Sequence, residues 1–141
     1  MVFVDTGAWI AVMVPTDSLH EIAGACYANL LSRRLPLFTS NYVIDETLTR
    51  ISYDAGHAAA CRFSDLYAEA ERQRLITTLW VDEDIARQAL QIFRKYSDQK
   101  LSFTDCTSFI LMKKHAIAEA FTFDGHFEML GFLRQPFLRH S

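Results

Sequence analysis

Four acidic residues stand where apolar segments end or helices begin: Asp5, Glu46, Asp105 and Asp124. Asp5 closes the run Val2-Phe3-Val4 and precedes Thr6-Gly7, while Asp124 closes Ala120-Phe121-Thr122-Phe123 and precedes Gly125. Asp105 falls in the first turn of an expected helix after Leu101-Ser102-Phe103-Thr104, and Glu46 lies inside a helix that opens near Asn41. In a parallel α/β sheet the carboxyl ends of strands and the amino ends of helices share one edge, where ligands bind. Acids drawn together at that edge repel one another unless a positive charge lies between them. A hard divalent cation with oxygen ligands is the simplest such charge, and it points to metal-assisted chemistry on phosphodiesters.

Each acid also has a plainer role. Asp5 suits the N-cap of the helix that follows it, and an Asp124-Gly125 pair is commonly a turn. Asp105 is in line with Phe109 and Met112, so its side chain follows an apolar stripe; otherwise it is a first-turn acid favoured by the helix dipole. Glu46 and Asp45 both flank the apolar face of their helix, and periodicity does not choose between them. Arg50, one turn after Glu46, suits an ordinary i,i+4 ion pair. Thr6, Asn41, Ser102 and Thr104 are short polar residues near the acids, fit to hydrogen-bond a carboxylate or a metal-bound water, or simply to cap helices. None of the five histidines has metal-ligand spacing; His126 alone falls near the expected edge, as a loop residue.

The elements that must position these residues alternate. Val2 to Val4 reads as a strand buried on both faces, followed by a short helix from Ala8 to Val14 that Pro15 stops. Asp17 or Ser18 caps a helix to about Arg33 with Ile22, Cys26, Leu30 and Leu31 on one side. Pro36 to Thr39 is a second strand, and Asn41 caps a helix through Tyr53 with Val43, Ile44, Thr47, Leu48 and Ile51 as its apolar face. Gly56 separates that helix from one over His57 to Arg72, and Leu75 to Val81 is a third strand. Asp82 caps a helix to about Tyr96 carrying Ile85, Ala89, Ile92 and Phe93, and Ser102 or Thr104 caps the next. Ala120 to Phe123 is a fourth strand, Phe127 to Leu130 a helical turn, and Phe132-Leu133 an edge strand. This order implies an α/β fold with a central parallel sheet of four to five strands and helices on both faces.

A chain of 141 residues fits one domain over residues 1–141 that buries about two-thirds of its unfolded surface. The formal net charge is −3, which excludes binding to nucleic acid by bulk charge. Action on a polyanion then requires metal, a local basic patch, or both; Arg33-Arg34, Arg94-Lys95 with Lys100, and Lys113-Lys114 are the basic clusters. Cys26, Cys61 and Cys106 lie far apart in helical patterns with no C-x-x-C, and read as buried free thiols of a reducing compartment. The apolar stretch to Val14 carries Asp5 and has no Lys or Arg before Arg33, so it reads as strand and helix, not as a targeting segment. With no run approaching a membrane span, cytoplasmic residence is expected. The tail residues Phe132-Leu133 and Phe137-Leu138 offer apolar surface that pairs two chains or packs on its own domain.

The order of these pieces resembles the PIN-domain nucleases, and within them the toxins of VapBC-type toxin–antitoxin pairs. The matching segments are Val2-Phe3-Val4-Asp5-Thr6, Thr39-Ser40-Asn41-Tyr42-Val43-Ile44-Asp45-Glu46, Leu101-Ser102-Phe103-Thr104-Asp105 and Phe121-Thr122-Phe123-Asp124. The resemblance implies a ribonuclease whose quartet Asp5, Glu46, Asp105 and Asp124 binds Mg²⁺ or Mn²⁺, and it selects Glu46 over Asp45. Asp5 and Asp105 would then bind a cation directly, with Glu46 and Asp124 completing the shell directly or through water. Thr6 and Thr104 fit the family's habit of placing hydroxyls beside the acids. The resemblance further implies an RNA substrate, a homodimer and a cognate antitoxin peptide; a stand-alone PIN-domain RNA-processing nuclease and a non-cleaving RNA- or partner-binding module are the alternatives. A receiver-type signalling domain needs an acidic pair near the first strand and a lysine after a late one, whereas Asp5 stands alone and Gly125-His126 follow the last strand. A haloacid-dehalogenase phosphatase needs a second acid where Gly7 stands.

Overall fold

Val2, Phe3 and Val4 have no polar side to turn to water, and the fold places them at its centre. The computed structural model describes residues 1–137. In chain order the elements are β1 (Val2–Val4), α1 (Thr6–Met13), α2 (His20–Ser32), β2 (Leu37–Ser40), α3 (Asn41–Ala55), α4 (His57–Arg72), β3 (Ile76–Leu79), α5 (Glu83–Lys95), α6 (Phe103–Lys114), β4 (Glu119–Phe121), α7 (His126–Met129) and β5 (Leu133–Gln135). The strands form one sheet in the order β3-β2-β1-β4-β5, and each neighbouring pair is parallel. Successive side chains of a strand point to opposite faces; all three of β1 are buried, so both faces of the sheet are covered at its centre.

Two aromatic groups dominate the core. Trp9 of α1 packs edge-on to Tyr27 and tilted on Phe63, and its indole N–H donates to Thr39 Oγ1 (3.3 Å), which donates to the Val4 carbonyl (3.1 Å). Phe109 of α6 meets Phe127 and Phe132 near the other end of the sheet. Phe132 therefore packs on its own domain, whereas Leu133 and Phe137 are exposed; Leu138 lies outside the described residues.

Four helix-to-strand turns repeat one device. After α2, Leu35 N–H bonds to Leu30 O and Arg34 N–H to Leu31 O; the same pair recurs at Leu75/Arg74, Ile117/Ala116 and Phe132/Gly131. This is the Schellman arrangement, in which a left-handed residue lets two otherwise orphaned helix carbonyls find donors. The left-handed residues are Arg34 (φ 54°), Arg74 (φ 59°), Ala116 (φ 54°) and Gly131 (φ 93°).

Local boundaries depart from expectation at identifiable places. α1 begins at Thr6, directly after the strand. Ser40, not Asn41, caps α3, accepting from Val43 N–H (3.0 Å). Asp82 and Ser102 cap α5 and α6. α2 buries Ala23 and Leu30 and leaves Ile22 outside, and α5 leaves Phe93 half exposed, because each packs by a narrower stripe than its apolar residues mark out. Of the three thiols only Cys106 is buried, while Cys61 is exposed with its Sγ 3.4 Å from His57 Nε2.

Candidate active site

Parallel pairing brings the carboxyl ends of β1 and β4 side by side, with Val4 opposite Phe121. The residues that follow each strand therefore emerge together. Asp5 is buried, and its backbone N–H bonds to Phe121 O (3.0 Å). Its carboxylate makes no capping bond to α1; instead Oδ2 accepts from the Thr122 hydroxyl at 2.9 Å. Thr122 is itself fully buried, and its oxygen also accepts from the Asp124 N–H (3.1 Å). One hydroxyl thus joins two of the acids.

Asp105 sits at the third position of α6 in a capping box: Ser102 Oγ accepts from Asp105 N–H, and Asp105 Oδ2 accepts from Ser102 N–H (3.1 Å). The helix-start role and the cleft position coexist, since one carboxylate oxygen serves each. Asp124 likewise forms a turn, its Oδ1 accepting from His126 N–H (2.9 Å). His126 Nδ1 lies 2.7 Å from the same oxygen, within ion-pair range when the ring is protonated, but without the alignment of a hydrogen bond. Glu46 is half-buried, whereas Asp45 is exposed and lines a separate groove with Asn41 and Trp80.

These four acids line a single cleft of about 390 Å³ together with Thr6, Gly7, Arg50, Lys100, Ser102 and Phe123. A larger groove of about 510 Å³ between α3 and α4 includes Leu48, Tyr53, His57 and Cys61 and no acid, so volume alone is a poor guide to the chemistry here. Burial pushes Asp5 up to about 7, and Asp105 and Asp124 add like-charge repulsion. Asp105 is also raised, by burial first and then by Asp124 and Glu46. The neighbouring acids thus oppose the ionisation of Asp5 and of Asp105, the condition under which a cation is strongly favoured.

The donor set fits a hard cation. It is all oxygen, and the Thr6 hydroxyl at its edge is buried with no hydrogen-bond partner, an uncommon state for a buried polar atom. Among the described residues no three Asp, Glu, His or Cys side chains already converge on one ion position. The hydrogen bonds of Asp105 and Asp124 each engage one carboxylate oxygen, which leaves the second oxygen of each for a ligand.

Two supporting residues take other places. Asn41 Oδ1 accepts from Val81 N–H (2.7 Å) and faces a separate groove that includes Trp80, so it ties β3 to α3 and stays out of the acidic cleft. Thr104 offers its carbonyl to Thr107 and Ser108 hydroxyls and does not line the cleft. Thr122 is the residue that pattern missed: it reads as one more strand position, and only its full burial beside two acids marks it. Arg50 and Lys100 were legible as charges but not as cleft residues.

The PIN domain pattern matches residues 2–133 of this chain. The chain belongs to the PIN-domain family. Among PIN-domain relatives it is 35% identical over 136 residues to the 23S rRNA-specific endonuclease VapC20 of Mycobacterium tuberculosis, covering 94% of this chain and 96% of that one. It is 23% identical over 128 residues to a VapC ribonuclease of Archaeoglobus fulgidus, covering 89% and 78%. The crystal structure of M. tuberculosis VapC20, a sarcin–ricin loop cleaving toxin, matches with a TM-score of 0.83 at 32% identity over 94% of this chain and 97% of that one. FitAcB from Neisseria gonorrhoeae matches with a TM-score of 0.64 at 17% identity over 95% and 96%, a likeness of fold alone. The resemblance to PIN-domain nucleases, and to VapC toxins within them, is thereby borne out.

Proposed function

We propose that this chain is a metal-dependent endoribonuclease that hydrolyses RNA phosphodiester bonds, as the toxin of a type II toxin–antitoxin pair. The observation that carries the reading is the single cleft lined by Asp5, Glu46, Asp105 and Asp124 in a PIN-domain chain. The four carboxylates hold Mg²⁺ or Mn²⁺, with Asp5 and Asp105 nearest the buried floor. When bound, such an ion supplies counter-charge to the phosphate and acidifies water.

The chain's own residues prepare that site. Thr122 fixes the Asp5 carboxylate and, through the Asp124 amide, the start of the loop that carries the fourth acid. The Ser102–Asp105 box locks the first turn of α6, so Asp105 enters the cleft from a rigid helix end. The Thr6 hydroxyl is the group left to hydrogen-bond a phosphate oxygen or a water. Likeness to VapC20, a 23S rRNA-specific endonuclease, supports ribosomal RNA as the substrate; a cognate antitoxin as inhibitor and action in the cytoplasm go with the toxin reading. A homodimer is the assembly to test, with Leu133 and Phe137 as exposed apolar candidates for its interface. No helix among the described residues is long and apolar enough to cross a membrane.

Cleavage of 23S rRNA in the presence of Mn²⁺, with and without EDTA, tests the reading. The chain is expected to cut only with metal, and Asp5→Asn, which removes charge without volume, is expected to abolish cutting while circular dichroism stays unchanged. Full activity of Asp5→Asn, or cutting that EDTA leaves intact, would overturn the assignment.

A further inference from the structure

Two cations share the cleft with the acids and do not neutralise them. Arg50 lies one turn after Glu46 on α3, with Glu on the N-terminal side, the favourable order for an i,i+4 pair. Both residues line the cleft. Yet the ion pairs among the described residues are Arg72–Glu69, Arg87–Glu83, His126–Asp124 and Arg134–Glu128, and neither Arg50 nor Lys100 joins an acid. Lys100 arrives from a different element, the loop between α5 and α6 just before the Ser102 cap. Both side chains are exposed, whereas Asp5 forms the buried floor. The cleft therefore has an acidic base and two free cationic arms at its mouth, set on separate supports.

The rest of the surface gives a polyanion little else to hold near this site. Net charge is −3, and the residues of the pairs Arg33-Arg34, Arg94-Lys95 and Lys113-Lys114 do not line the cleft. Lys95 instead lies over the Tyr96 ring at 5.3 Å. An acidic protein that binds RNA must place its few positive charges where the chain passes, because phosphate contacts dominate affinity.

We infer that Arg50 and Lys100 are the RNA-binding arms of the cleft, each holding a backbone phosphate adjacent to the scissile one. This rests on the ribonuclease reading above and assigns the arms to substrate, not to charge balance among the acids. Each arm contributes to KM and to the salt dependence of cleavage. Metal binding belongs to the acids alone.

The test compares the unaltered chain with Arg50→Gln, Lys100→Gln, the double variant and Arg50→Lys. The probe is a labelled single-stranded RNA of mixed sequence, with cleavage followed in Mn²⁺ and binding by fluorescence anisotropy over a range of KCl. Each Gln variant should raise KM roughly fivefold with kcat little changed. Each should also lower the slope of log affinity against log salt by about 0.7. Arg50→Lys should recover most of the loss, and the melting-temperature shift on adding Mn²⁺ should persist throughout. Unchanged KM and salt slope would overturn the inference, as would variants that alter only metal-free stability and the Mn²⁺ response, since the cations would then serve the acids. If the unaltered chain cuts no RNA, the ribonuclease reading falls by itself. Anisotropy still decides the arms, with a weakened and less salt-dependent affinity supporting them and an unchanged one ending the proposal.

Discussion

At the amino ends of the strands, the four helix-to-strand turns satisfy themselves with paired backbone bonds; at the carboxyl ends, side chains carry the organisation. The first edge repeats one turn whatever residue occupies it, tolerating Arg34, Arg74 and Ala116 at positive φ. A non-glycine residue there costs roughly 1–2 kcal/mol, so the turn is imposed by the helix and strand it joins. The second edge holds a buried carboxylate raised to about 7 and a buried hydroxyl without a partner. One edge spends local strain on closing the fold, and the other accumulates electrostatic strain where a ligand would relieve it. The contrast locates the chemistry as clearly as the acids do.

The strongest way to break this contrast is the pH dependence of stability without metal. The folded-state value of Asp5, about 7, lies above its ordinary 3.8, so folding favours the protonated acid. Its stabilising contribution is complete below about pH 3.8, declines as pH rises to about 7, and stays low above. Asp5→Asn should therefore gain stability over the unaltered chain as pH rises through that window, by at most about 4 kcal/mol, measured by urea titration at pH 5 and pH 8. Mn²⁺ should raise the melting temperature of the unaltered chain more at pH 8 than at pH 5. Identical pH profiles for the two proteins would show that Asp5 is not strained.

Thr122→Val probes the same edge from the neutral side. It keeps the shape and removes the hydroxyl that serves Asp5 and the Asp124 amide. A loss of about 1–3 kcal/mol in stability is expected, together with weaker Mn²⁺ binding; retention of both would mean that the hydroxyl organises nothing. At the opposite edge the sign reverses. Ala116→Gly should stabilise the protein by up to about 1 kcal/mol and leave RNA cleavage untouched. A destabilised variant would show that the left-handed turn is not strained.

Asp5 and Asp124 were legible because a strand end writes itself in sequence: Val2-Phe3-Val4 stops at Asp5, and Phe121-Thr122-Phe123 stops at Asp124, whereas Glu46 was separated from Asp45 only by the family resemblance. The alternation of strands and helices was legible for the same reason, and the parallel sheet follows from it. What was not legible depended on partners distant in sequence. The choice of Ser40 over Asn41 as cap turns on Asn41 finding Val81 N–H, forty residues away. The linking role of Thr122 depends on Asp5, 117 residues away. The Schellman turns were hidden because three of the four carry no glycine, and the freedom of Arg50 was hidden because Glu46 at i−4 made a helix pair the natural expectation.

The central place of β1 has a consequence for biosynthesis. Its two neighbours are β2 and β4, and Val2 pairs with Glu119, so β1 waits for the fourth of the five strands. A nascent chain halted before Glu119 leaves the Val2–Val4 ribbon unpaired on one side and the acidic cleft without its fourth wall. Parallel pairing at such separation is slow to form, and a ribosome-tethered fragment accordingly carries the sequence of the site without the site.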